Sequence, residues 1–134
     1  MALTPETRAY LSEQRFAVLA TINPDGAPQQ TVMWYELRGD TVVMNTTKSR
    51  LKGRNLARDN RISICVADGY RFLTIAGEAR LVDDHAIAQE DIRQLAVRYH
   101  GKEKGEAQAV NVFSKQDRIS IYVPIEHVIT YGFE

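Results

Sequence analysis

Residues 16–37 read "FAVLATINPDGAPQQTVMWYEL", and this stretch sets the architecture of the chain. Phe16–Ile22 is a nearly continuous apolar run with β-branched members, suited to a buried strand. Asn23–Gly26, "NPDG", is a strong turn signal, because proline presets one turn dihedral and glycine accepts another that other residues resist. Pro28–Leu37 is a second strand, "RGD" at Arg38–Asp40 closes the next hairpin, and Thr41–Thr47 is a third strand. Strands joined by turns this short pair antiparallel.

The rest of the chain extends this meander on both sides. Thr4 followed by Pro5 and Glu6 predicts a capped helix ending near Gln14, with Tyr10 and Leu11 facing inward. After the third strand, Ser49–Asp59 breaks the strand pattern. Leu51, Asn55 and Arg58, and likewise Lys52 and Leu56, recur at helical spacing, so a short helix with Ser49 as its N-cap is expected. Arg61–Asp68 and Arg71–Asp84 are two further strands around a turn at Gly69. Asp84–Gly101 is the longest helix signal, with Ile87, Ile92, Leu95, Ala96 and Tyr99 forming an apolar stripe. "KEKGEAQA" (residues 102–109) reads as a polar connection, and Asp117–Gly132 as a last strand interrupted at Pro124. Six strands and two or three helices, with no repeat or linker, predict one domain over residues 1–134, a small antiparallel barrel with helical appendages.

Composition bounds the function. A chain of 134 residues with 25% charged and 44% hydrophobic residues has the make-up of a soluble globular protein able to bury a core. Cys65, the single cysteine, sits in "ISICVA" and is expected to be a small buried core residue. No run approaches the roughly 20 apolar residues of a membrane span, and "MALTPETRAYLSEQ" has no apolar signal-peptide core, so a cytoplasmic location is expected. A formal net charge of zero argues against a nucleic-acid binder. His85, His100 and His127 lack metal-ligand spacing, so no metal site is expected. Trp34 beside Tyr35 fits a core or dimer contact, or a platform for a planar ligand.

The charge is not evenly spread. Lys48, Arg50, Lys52, Arg54, Arg58 and Arg61 crowd residues 48–61 against one carboxylate, Asp59. Such a run is most simply a solvated helix face. Two features favour binding instead. The run lies where a strand ends and a helix begins, where free backbone N–H groups already attract an anion, and Thr46, Thr47 and Ser49 add hydroxyls. Arg50 and Lys52 would supply a planar fork and a point charge to a small phosphorylated ligand, and Gly53 would allow its close approach.

"FAVLATINPDGAPQQTVMWYEL", "VVMNTTKSRLKGRNLARDNRISICV" and "IAGEARLV" together resemble the flavin- and deazaflavin-binding split barrels, and within them the pyridoxamine-phosphate-oxidase-like group of F420-dependent reductases. The resemblance is close over roughly residues 14–83, and "DRISIYVPIEHVITYG" is similar to the family's final strand. It implies a mainly β (α+β) fold, a six-stranded antiparallel split β-barrel with short flanking helices, assembled as a homodimer with cofactor sites at the interface. By the same resemblance Arg50 and Lys52 match the basic pair that holds the cofactor phosphate, with Thr46 and Thr47 beside it. Gln29, Thr31 and Met33 lie on the strand that edges the ring, while Tyr70 and Phe72 fall where the neighbouring subunit brings aromatic residues. Asn55 and Leu56 match a structural "NL". The chain stops at "YGFE" without the C-terminal Arg and His segment of true pyridoxamine-phosphate oxidases, which disfavours vitamin B6 oxidation. The expected activity is hydride transfer from reduced coenzyme F420 to a small electron-poor organic acceptor, without a catalytic nucleophile and with Tyr35, Tyr70 and Tyr99 as candidate proton donors. FMN is the alternative cofactor, and an FMN-dependent oxidoreductase or a non-catalytic binding protein the alternative function. Neither nucleic acid nor membrane is an expected partner.

Overall fold

The computed structural model describes residues 3–133. Thr4 opens α1 (Pro5–Ser12) through a reciprocal cap with Thr7: the Thr7 amide donates to Thr4 Oγ1 at 3.1 Å, and the Thr4 amide to Thr7 Oγ1 at 2.9 Å. Tyr10 and Leu11 turn inward as expected, at 1% and 0% exposure. Tyr10 anchors the helix by donating from its hydroxyl to the Val66 carbonyl at 3.1 Å.

The strands then run β1 (Ala17–Ile22), β2 (Pro28–Met33), β3 (Glu36–Arg38), β4 (Thr41–Thr47), β5 (Arg61–Asp68), β6 (Arg71–Glu78), β7 (Arg80–Val82), β8 (Arg118–Pro124) and β9 (His127–Tyr131). They form two antiparallel sheets, one ordered β2-β1-β5-β6-β9 and the other β3-β4-β8-β7. The six expected strands are nine because three of them pass from one sheet to the other and break where they do so. Pro28–Leu37 breaks at Trp34 and Tyr35, Arg71–Asp84 at Ala79, and Asp117–Gly132 after Pro124, whose missing N–H cannot continue the ladder. At these breaks other partners take up the backbone groups: the Ala79 amide donates to the Asn60 carbonyl at 2.8 Å and the Ile125 amide to the Asp40 carbonyl at 2.9 Å. The "RGD" is a hairpin turn with Gly39 at φ 59°, and its charges are internally used, Asp40 by Arg8 and Arg38 by Glu36 and Asp91.

Between the sheets lies an apolar core that includes Leu19, Tyr35, Met44, Ile64, Leu73, Ile75 and Ile121. Strict alternation in β5 turns Ile62, Ile64 and Val66 inward and Ser63 and Cys65 outward, so Cys65 is half-buried on the outer sheet face and not the core residue expected.

The helix α3 (His85–His100), capped by Asp84 and ended at Gly101, lies over β4 and β8. Its buried stripe is Ala88, Asp91, Ile92, Leu95 and Ala96; Ile87, expected there, is 41% exposed. A carboxylate is tolerated in the stripe because it is satisfied: Arg38 Nη1 and Ser120 Oγ each donate to Asp91 at 2.7 Å, and the Tyr122 hydroxyl at 2.6 Å. Among the described residues no helix is long and apolar enough to cross a membrane.

The segment expected as a polar connection is a second helix, α4 (Lys102–Asn111), folded back on α3. Its pattern is largely polar because its buried residue is a glycine, while Glu106 and Gln108 reach back to Arg93 and His100. A Cβ on Gly105 would sit 2.5 Å from the Val97 amide nitrogen. Gly105→Ala is therefore expected to lower the urea midpoint by the equivalent of about 1–3 kcal/mol, as overpacking against backbone does; an unchanged midpoint would show that α4 is not packed there.

Candidate functional site

The helix α2 (Leu51–Arg58) follows β4 after three residues. Ser49 does not cap it: the turn closes through the Arg50 amide to the Thr47 carbonyl at 3.3 Å, which moves the N-cap position on to Arg50, and no side chain caps the helix. Its first-turn amides thus keep their capacity to bind an anion. Gly53, expected to admit a ligand, instead admits the chain itself. A Cβ there would lie 2.8 Å from the Thr47 carbonyl oxygen and 3.3 Å from that of Lys48, so glycine lets the helix close onto the end of β4. Asn55 is fully buried and donates to Thr21 Oγ1 at 3.1 Å and Asn23 Oδ1 at 3.0 Å, which ties the helix to the first hairpin.

Within this frame the six cations separate into two groups. Lys48 meets Asp83 at 2.5 Å and Asp117 at 3.3 Å, Arg61 meets Asp59 at 2.7 Å, and Arg58 donates to the Asn55 side chain and the Ile22 carbonyl. Arg50, Lys52 and Arg54 make no salt bridge among the described residues. Lys52 is the unusual member, since it is only 8% exposed yet makes no hydrogen bond among the described residues. Burial first, and then the charges of Arg50 and Arg118, hold its pKa below the ordinary lysine value.

Arg118 arrives from seventy residues away. The β4–β8 register sets it opposite Thr47, where it is 5% exposed, and burial followed by Arg50 pushes its pKa down to about 10. Its Nε donates to Asn45 Oδ1 at 2.7 Å and its Nη1 to Gln116 Oε1. Asn45 is held in turn, donating to the Ala88 carbonyl at 3.0 Å and to Ser120 Oγ at 3.3 Å.

Two clefts meet at Arg50. One, of about 210 Å³, is lined by Val32, Met33, Trp34, Ile92, Leu95 and Phe113, with Asn45, Arg50 and Arg118 as its polar members. The other, of about 520 Å³, is lined by Thr47, Lys48, Ser49, Arg50, Gln116 and Asp117. Apolar and aromatic walls beside a few convergent polar groups are the usual make-up of a small-molecule site.

Of the expected site residues, Met33, Thr47 and Arg50 line these clefts, while Thr46 and Lys52 are buried at the same strand-to-helix junction. Gln29 and Thr31 share the inward-facing row of β2 with Met33, paired to Thr21, Leu19 and Ala17. Tyr70, 91% exposed at the β5–β6 turn, and Phe72, stacked on Tyr131 at 5.5 Å, line neither cleft. Tyr35 is a packing residue: its hydroxyl donates to the Leu11 carbonyl at 2.8 Å and burial raises its pKa to about 12. Tyr99 is fixed likewise by the Arg15 carbonyl at 2.5 Å and stacks on Trp34 at 5.3 Å, so Trp34 both packs and lines the cleft. Asn45, Phe113 and Arg118 were not legible as site residues: Arg118 enters through the β4–β8 pairing, and Asn45 and Phe113 line the cleft beside it.

The orphaned groups fit a polar ligand. Gln29 Oε1, Thr31 Oγ1 and Thr46 Oγ1 are buried without a hydrogen-bond partner among the described residues, on three residues expected at the ring and phosphate of a cofactor. Lys52 carries the same implication in charge. Its lowered pKa means the folded chain holds that proton less tightly than the unfolded one, so the charge opposes folding at neutral pH and the cost is relieved as pH rises toward 10.5. Lys52→Met is expected to raise the melting temperature of the ligand-free protein by a few degrees, on the order of 1 kcal/mol. A lower melting temperature would show that Lys52 stabilises the fold.

Comparison with known proteins places this architecture. A solved structure named as an F420 reductase is 27% identical with a TM-score of 0.75, over 91% of this chain and 94% of that one. A conserved hypothetical protein from Mycobacterium tuberculosis superposes with a TM-score of 0.81 at 24% identity, over 98% and 86% of the two chains. The heme storage protein HutZ from Vibrio cholerae does so with a TM-score of 0.74 at 21% identity, over 99% and 97%. At those identities the last two likenesses concern the fold. The family model for pyridoxamine 5'-phosphate oxidase matches residues 3–127, nearly the whole of the described chain, and the protein belongs to that family.

Proposed function

We propose that this protein is an F420-dependent oxidoreductase that passes a hydride from reduced deazaflavin to a small electron-poor organic acceptor. The observation that carries the reading is the cation seat: Lys52, 8% exposed and without a hydrogen bond or salt bridge among the described residues, beside Arg50 at the uncapped start of α2 and next to a cleft walled by Trp34 and Phe113. Similarity to a structure named as an F420 reductase supports the choice of cofactor. Arg50 and Lys52 would hold the phosphate, with Thr46 and Thr47 beside it. Gln29, Thr31 and Met33 would edge the ring, and the orphaned oxygens of Gln29 and Thr31 would find hydrogen-bond partners there. When bound, the deazaflavin supplies the hydride chemistry. The protein's part is to orient the ring, to exclude water with its apolar wall and to leave one face open to the acceptor.

Assembly as a homodimer belongs to the same reading. Across the outer face of the five-stranded sheet, Val32, Val18, Cys65, Thr74 and Ile129 form one row in register. Val32 and Ile129 are each 68% exposed, and Tyr131 61%. Apolar surface of this extent on a sheet face favours a partner, and a second copy would bring Tyr70 and Phe72 toward the cofactor. FMN is the alternative ligand, because a phosphomonoester would meet the same cations.

Titration of the purified protein with F420 and, separately, FMN, followed by fluorescence, tests the reading. Tight F420 binding with weak FMN binding is expected, followed by acceptor reduction by the loaded protein. The double variant Arg50→Ala/Lys52→Ala should weaken F420 binding by several kcal/mol, since charge-assisted hydrogen bonds contribute roughly 1.5–3 kcal/mol each. The reverse preference would make the protein an FMN enzyme, and binding without turnover across a panel of acceptors would make it a carrier.

A further inference from the structure

We infer that Arg118 is the third cation of the anion seat and binds the phosphate ester of the ligand directly through its free guanidinium nitrogen. Arg118 is 5% exposed yet lines the 210 Å³ cleft together with Arg50. Two of its nitrogens are committed, Nε to Asn45 and Nη1 to Gln116, while Nη2 has no protein partner among the described residues. Both hydrogen-bond partners are neutral amides, and the guanidinium carbon lies over the Phe113 ring at 4.9 Å from its centroid. These neighbours orient the guanidinium without cancelling its charge. The carboxylate in its network, Asp91, lies three hydrogen bonds away through Asn45 and Ser120 and already meets Arg38. Burying a guanidinium with neutral partners and beside a second cation is costly unless an anion completes the set. Arg50 and Arg118 line one cleft, and Lys52 lies close enough to feel both their charges. A concentration of positive charge of this kind suits a phosphate ester and not a neutral ring substituent. Arg118 is thereby a binding residue, and Asn45 with Ser120 and Asp91 are positioning residues that aim it.

The nature of the phosphate's bearer rests on the cofactor reading above; the seat itself does not. The test therefore compares ligands that differ only in the phosphate, FMN against riboflavin, and adds inorganic phosphate as a probe of the seat alone. Arg118→Gln should lower the FMN-to-riboflavin affinity ratio by about tenfold or more, leaving riboflavin affinity unchanged, with Arg118→Lys restoring part of the ratio. Millimolar inorganic phosphate should raise the melting temperature of the unmodified protein above that in chloride of equal ionic strength, and Arg118→Gln should abolish the difference. An equal loss for FMN and riboflavin would mean a structural role and overturn the inference, as would an unchanged ratio. If Arg118→Gln does not fold, the unmodified protein and Arg118→Lys decide the matter: no stabilisation by phosphate, or an undiminished one in Arg118→Lys, overturns the inference. Stabilisation by phosphate that depends on Arg118, in a protein that binds neither F420 nor flavin, would uphold the seat and sink the cofactor reading.

Discussion

The antiparallel pairing of β4 with β8 is the constraint on which the rest of this molecule turns. Its seven register pairs run from Thr41–Pro124 to Thr47–Arg118, so the end of β4 and the start of β8 share one corner. At that corner Gly53 lets α2 close against the Thr47 carbonyl, with no room for even a methyl group. The two approaches together bring Arg50, Lys52 and Arg118 to one junction, while Lys48 is drawn aside by Asp83 and Asp117. Electrostatics alone would scatter such charges; backbone pairing and close packing hold them together.

That arrangement carries a cost which the neighbouring structure offsets. The core between the sheets is apolar, and α3 buries its stripe over β4 and β8, with its one carboxylate fully engaged by Arg38, Ser120 and Tyr122. Polar groups in the interior are satisfied where they serve the fold, as in Asn55 and Tyr35. Among the described residues Thr46, Thr31 and Gln29 each keep a buried oxygen without a partner, at the places the proposed ligand would occupy. The separation is physically meaningful, because an unmet buried group destabilises the free protein and rewards whatever meets it.

Much of this was legible from residues alone. The first hairpin, the α1 cap, the strand Thr41–Thr47 and the long helix lie within a residue or two of where turn chemistry and periodicity put them. Six strands became nine because a strand that changes sheets keeps its apolar pattern through the crossing, and only the change of hydrogen-bond partner marks the break. α4 escaped because the residue it buries against α3 is a glycine and its other bonds to α3 are polar, which leaves no apolar stripe to read. At the site, the junction cations were visible as a cluster in sequence, but which of them lack a carboxylate was not. That depends on Asp83 and Asp117, which are remote along the chain. Arg118 could not be seen at all without knowing that β8 pairs with β4.

Lys52 stands at the centre of this picture, 8% exposed and without a hydrogen bond or salt bridge among the described residues, where the proposed anion would supply a partner. Its state is read most directly by titrating the Lys52 ammonium by NMR, in the free protein and with ligand bound. A pKa below the ordinary 10.5 is expected in the free protein, rising when F420, FMN or inorganic phosphate is added. A pKa at or above 10.5 that no anion moves would mean the charge already has its partner, and the seat would not exist.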